Sequence, residues 1–93
     1  MDADAAQRAR FNAERSRILR AFGATLRELR GPERTQENIA DLANMHPTYI
    51  GKLERGEQEP GLLALAILAA VFEVSLDRLA QGLPLLKERK PPP

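Results

Sequence analysis

Residues 35–60, TQENIADLANMHPTYIGKLERGEQEP, decide how this chain folds. Thr35 is a good helix N-cap, because its hydroxyl can accept a backbone N–H that the first turn leaves without a partner. Gln36-Glu37 place an acid in that first turn, where the helix dipole favours it. Asn38 occupies the position where a capping box carries Glu or Gln, so the box is expected to be incomplete. Ile39, Ala40, Leu42 and Ala43 supply the buried stripe of a short helix. The chain must then turn sharply, and Asn44 tolerates the left-handed conformation such a corner needs. His46 reads as the next N-cap and Pro47 as the first helical residue, where its missing N–H is no loss. Ile50 and Leu53 turn inward one turn apart, and Gly56 ends this helix.

Two short amphipathic helices about a tight break have the layout of a helix-turn-helix, in which the second helix enters the major groove of DNA. Its outward residues then become the readers: Pro47, Thr48, Tyr49, Gly51 and Lys52. Lys52 can donate to guanine O6 and N7, the most distinctive acceptor pair in that groove. Thr48 can donate to or accept from a base, and its methyl, like the Pro47 ring, can meet a thymine methyl. Tyr49 reaches either a base or a phosphate, or packs against the preceding helix. Gly51 in mid-helix costs about 1 kcal/mol relative to alanine. Close approach to DNA is the preferred compensation, since position 51 is expected to face outward; a tight helix–helix contact is the alternative. Gln36, His46 and Arg55 are placed to hold phosphates, which set register without reading sequence.

Working outward, Ile18, Phe22, Leu26 and Leu29 recur at helical spacing and predict one long helix from about Gln7 or Phe11 to Arg30. Gly31-Pro32 stops it. Pro60-Gly61 opens a helix over Leu62–Phe72 that is apolar on nearly all sides, hence either central or half exposed. Ser75 caps a short fifth helix through Ala80, closed by Gly82. Residues 83–93, LPLLKERKPPP, read as a tail of weak structure after a domain spanning 1–82.

Composition agrees with an all-α fold. Aromatics are few (Phe11, Phe22, Phe72 and Tyr49, with no Trp), which suits a small helical bundle better than a sandwich or barrel. With no cysteine, disulfides and thiolate metal sites are excluded. The apolar run at 62–72 is far short of the ~20 residues of a membrane span, and the acidic-then-basic start is no secretory signal. A cytoplasmic protein without membrane contact is expected. Net charge is only +1, yet residues 7–34 hold eight arginines (8, 10, 15, 17, 20, 27, 30, 34) against Glu14, Glu28 and Glu33. That block can meet phosphates or form a solvated helix face. Catalysis finds no support: one histidine, no nucleophile motif, no phosphate-binding loop and no second metal-type ligand near His46. No metal, cofactor or small-molecule ligand is expected.

The ordered set Leu26-Arg27-x-Leu29-Arg30, Thr35-Gln36-Glu37, Ile39-Ala40-x-x-Ala43, Tyr49-Ile50-x-x-Leu53-Glu54-Arg55-Gly56, Pro60-x-Leu62-x-x-Leu65-x-x-Leu68-Ala69 and Val74-Ser75-x-x-x-Leu79 resembles the phage repressor and Cro type of helix-turn-helix, the Xre-like family. The resemblance covers Phe22 to Leu79. Within it, His46-x-Thr48-Tyr49-Ile50 and Glu54-Arg55-Gly56-Glu57 look most like the controller proteins of restriction–modification systems. The resemblance implies a compact five-helix bundle, a homodimer on a pseudo-palindromic operator in double-stranded DNA, and a structural ion pair between Arg30 and Glu54 beneath the binding surface. It also allows the same scaffold to serve as a protein-interaction module, as in antitoxins or coregulators. Three departures stand out. Asn44 replaces a turn glycine, Arg34 replaces an apolar residue in a loop one residue short, and Pro47 lies where a long polar reader is common. Leucines of the fourth and fifth helices, with Leu83, Leu85 and Leu86, are the apolar surface available to a dimer; for Leu65, Leu68 and Leu79 an ordinary core role is the better reading.

Overall fold

A computed structural model describes residues 2–84 and Leu86; among these the chain forms five helices and no strand. They are α1 (Ala3–Arg30), α2 (Gln36–Ala43), α3 (Pro47–Glu54), α4 (Leu62–Phe72) and α5 (Leu76–Ala80). The first helix begins a turn or two earlier than Gln7 or Phe11. Asp2 explains this, because its carboxylate accepts the Ala5 N–H at 2.7 Å, and the alanines that follow are the best helix formers. Over that first half α1 is mostly exposed, with Phe11 63 % accessible.

Three helices end in the same way. Asn44, Gly56 and Glu73 take left-handed conformations with φ of 55°, 74° and 55°. Each lets the next N–H reach back to a carbonyl of the last turn: Met45 to Ala40, Glu57 to Lys52 and Val74 to Ala69, all at 2.9 Å. The capping box of α2 is complete, contrary to the expectation from Asn38. The Asn38 N–H donates to Thr35 Oγ1 at 3.1 Å, and the Thr35 N–H donates to Asn38 Oδ1 at 2.9 Å. The shorter amide side chain reaches as Glu or Gln would.

Phe22, Leu26, Ile39, Ala40, Ile50, Leu53, Leu68, Ala69 and Leu79 form the core, one or more from every helix. Closure depends on Gly23. A Cβ there would fall on the carbonyl oxygens of Leu53 and Glu54, so α1 and the end of α3 touch backbone to backbone. Arg34 also finds a role where an apolar residue was expected. Its guanidinium donates to the carbonyls of Leu29 at 2.7 Å and Arg30 at 3.1 Å, which α1 leaves open at its end. The same group lies 5.5 Å from the centroid of the Phe72 ring.

The apolar α4 is half exposed rather than central. Leu68 and Ala69 are buried, whereas Leu62 and Leu63 are 76 % and 74 % accessible. Leu79 belongs to the core, Leu65 is half-buried against it, and Leu76 is exposed. Leu83, assigned to the tail, packs on the core, and Leu86 is exposed. Leu85 and residues 87–93 of the expected tail lie outside the described residues.

Candidate nucleic-acid interface

Helix α3 is held by one face. Ile50 and Leu53 are buried in the core, which leaves Thr48, Lys52 and Arg55 exposed at successive turns of the opposite side. That spacing of four and three residues makes a single outward row. Lys52 makes no ion pair or hydrogen bond with the described residues, so its ammonium is available to an acceptor outside the chain. Arg55 donates from Nε to Glu57 Oε2 at 2.9 Å and remains half exposed.

The start of the helix is built as expected. His46 is exposed, its Nδ1 accepts the Thr48 N–H at 3.0 Å, and Pro47 follows as the first helical residue. With Nδ1 accepting, the ring N–H left as a donor is the one on Nε2. Pro47 and Tyr49 are half-buried, and Tyr49 packs against the core cluster.

Gly51 is the correction. It is buried, not outward-facing, and a Cβ at this position would stand 3.0 Å from both Gln36 Oε1 and Arg55 Nη1. Of the two compensations for a mid-helix glycine, close contact inside the protein is the one present. With no side chain and no exposure, Gly51 has no means of reading a base.

Beneath this surface Arg30 and Glu54 form the expected pair, and it is bidentate. Arg30 Nε lies 2.7 Å from Glu54 Oε2 and Nη2 lies 2.9 Å from Oε1. Two further contacts were not legible in the sequence. Gln36 Nε2 donates to Glu54 Oε1 at 3.0 Å, and Arg27 Nε approaches the same oxygen at 3.8 Å. Arg30 Nη1 also donates to the Arg34 carbonyl at 2.8 Å. One buried carboxylate therefore ties together α1, the N-terminus of α2 and the end of α3. Burial by itself pushes the Glu54 carboxyl up; the hydrogen bonds from Arg30 and Gln36, with the charges of Arg30 and Arg27, outweigh it and hold the group below its ordinary value. The Glu54 hydrogen bond in turn raises Arg30, against a smaller opposing effect of burial.

Gln36 thus spends its side-chain amide partly inward. Its backbone N–H, at the first position of α2, still has no acceptor within the helix and points along the positive end of the dipole. Donors from Gln36, His46, Lys52 and Arg55 come from two helices joined by one corner. Among the described residues no group of His, Asp and Glu could hold a metal ion, and none of the helices is long and apolar enough to cross a membrane.

A helix-turn-helix family model matches residues 26–79, more than half the chain. The chain belongs to the Xre-like helix-turn-helix family. Similarity is also found to the control protein C.SmaI of Serratia marcescens, 41 % identical over 51 residues, which are 53 % of this chain and 61 % of that protein. Among solved structures, the restriction–modification controller protein C.AhdI from Aeromonas hydrophila superimposes with a TM-score of 0.63 at 34 % identity. That match covers 66 % of this chain and 94 % of C.AhdI. The family and these relatives are regulators rather than enzymes.

Proposed function

We propose that this chain is a sequence-specific, double-stranded DNA-binding transcriptional regulator of the cytoplasm. The observation that carries the reading is the exposed row Thr48, Lys52 and Arg55 on a helix whose other face is locked into the core. Thr48 and Lys52, flanked by Pro47 and Tyr49, are the base readers; the Gln36 and His46 N–H groups and the Arg55 guanidinium take phosphates. Only one charged side chain reads bases, so DNA shape and deformability carry part of the specificity.

The working species is a homodimer on a pseudo-palindromic operator, with half-site centres roughly 34 Å apart. Exposed Leu62 and Leu63 of α4 and Leu76 of α5 supply apolar surface for a second copy. Similarity to two controller proteins supports control of a restriction–modification locus as the biological setting.

A protein-interaction module on the same scaffold is the second reading. Pro47 in place of a long polar reader and the uncharged exposed face of α4 favour it. Fluorescence titration of labelled duplex against salt separates the two. For a DNA binder, log K falls linearly with log salt, with a slope near −0.9 for each phosphate neutralised. On a selected site, Lys52→Ala costs about 1–3 kcal/mol and relaxes preference at one base pair. No binding to any duplex at low salt leaves only the interaction module.

A further inference from the structure

We propose that Gly51 is a positioning residue for the DNA phosphate contact, acting through Gln36 rather than by touching DNA. The missing side chain leaves a slot across α3 at the point where α2 begins. Gln36 lies in that slot: its Oε1 is 3.0 Å and its Cδ 3.6 Å from where a Cβ of residue 51 would stand, and its Nε2 reaches Glu54 Oε1 at 3.0 Å. Arg55 Nη1 bounds the same point at 3.0 Å. Glu54 is itself clamped by Arg30 through two bonds of 2.7 and 2.9 Å. The amide of Gln36 is therefore anchored, through one buried carboxylate, to α1 and α3. That anchoring fixes the first residue of α2 relative to α3. It sets where the Gln36 N–H stands when Lys52 and Thr48 are in the groove.

Local preference argues that the glycine is kept for this purpose. Mid-helix glycine is the poorest choice after proline for a buried helical position. Nothing in the backbone requires it, for Gly51 has no positive φ, unlike Gly31 and Gly56. Its steric neighbours are the ends of two flexible side chains, not backbone. A methyl group there displaces those ends and leaves the fold intact. It obliges the Gln36 amide to give by a few tenths of an ångström, which loosens its hold on Glu54.

This inference rests on the phosphate contact assigned above to Gln36, and the test separates the two. The probe is a labelled duplex of mixed sequence, because a phosphate contact contributes on every sequence. Gly51→Ala, Gln36→Ala and the double variant are titrated at several salt concentrations, and their thermal midpoints are recorded. Gly51→Ala is expected to melt at or above the wild-type temperature and to bind about tenfold more weakly, the effect of one charge-assisted hydrogen bond. Its salt slope is expected to stay at the wild-type value, because the neutral Gln36 N–H displaces no counterion. The double variant is expected to bind no more weakly than Gln36→Ala alone, the signature of two positions acting through one contact. Wild-type affinity for Gly51→Ala overturns the proposal, as does a loss that adds in full to that of Gln36→Ala. Should Gly51→Ala melt early, Gln36→Asn decides: its amide is one methylene too short for Glu54, and undiminished binding by that variant overturns the proposal. A wild-type protein that binds no duplex removes the DNA reading and this inference together, a result distinct from all of these.

Discussion

Glu54 shows how much one side chain can connect. Its carboxylate is almost fully buried, yet every charge facing it is cationic and both oxygens accept hydrogen bonds. A buried pair of this kind is better understood as a device that fixes geometry than as a large net stabiliser, because desolvation offsets much of the attraction. It nevertheless makes stability depend on pH, with a definite sign. The folded-state pKa lies below the unfolded value, so its contribution is fully present above the ordinary glutamate pKa of about 4.3 and is lost as pH falls through the lower folded-state value. Arg30 shifts upward and stays charged throughout the accessible range, so it adds no alkaline loss. Thermal melts from neutral pH downward are expected to show a steeper acid loss in the wild type than in Glu54→Gln, which lacks the titrating group. Parallel curves would contradict the linkage. Local chemistry reads well at this scale: Thr35, Asn44, His46, Pro47 and Ser75 all occupy the cap and turn positions their side chains suit. Gln36 was legible as a surface donor but not as a partner of Glu54, because eighteen residues separate them and only packing brings them to 3.0 Å.

At the scale of elements, the contact between α1 and α3 is set by the absence of an atom. Gly23 sits mid-helix, where glycine is unfavourable, and the Leu53 and Glu54 carbonyls fill the space a Cβ would take. Here the obstruction is backbone, which cannot swing away. Gly23→Ala is therefore expected to destabilise the fold by about 2 kcal/mol despite alanine's better helix propensity. For a domain of this size that is a fall of roughly 8–16 °C in Tm, readable by circular dichroism. An unchanged or raised Tm would show that the two helices can separate without loss. The two mid-helix glycines thus make opposite predictions, since Gly51 faces only flexible side-chain ends. Sequence pattern alone did not distinguish them: both are lone glycines in helical periodicity. Boundaries followed a similar rule. Helix ends at Gly31, Asn44, Gly56 and Phe72 stood where expected, whereas the start of α1 did not, because alanine-rich polar turns carry no breaker signal.

For the whole molecule, burial divides the leucines into two groups. Leu26, Leu53, Leu68 and Leu79 close a single core, while Leu62, Leu63 and Leu76 remain on the surface. The uncharged exposed face of α4 is the surface that the proposed homodimer would cover. Sedimentation across a range of concentrations is expected to show a monomer–dimer equilibrium, with Tm rising as concentration increases. Leu62→Glu combined with Leu76→Glu should shift the equilibrium to monomer at unchanged helicity. A wild type that stays monomeric at every concentration would rule out the homodimer. The helical order, the corner at Asn44 and the exposure of Thr48 and Lys52 were legible in the chain because caps, turns and periodicity act over a few residues. That Gly23 admits a backbone and Gly51 a side chain, that Arg34 caps the end of α1, and that Gln36 answers to Glu54 came from the packing. The glycine and Gln36 contacts join segments far apart in sequence, and their geometry exists only once the core has closed; the Arg34 cap is local, but its side chain also lies over Phe72 of α4.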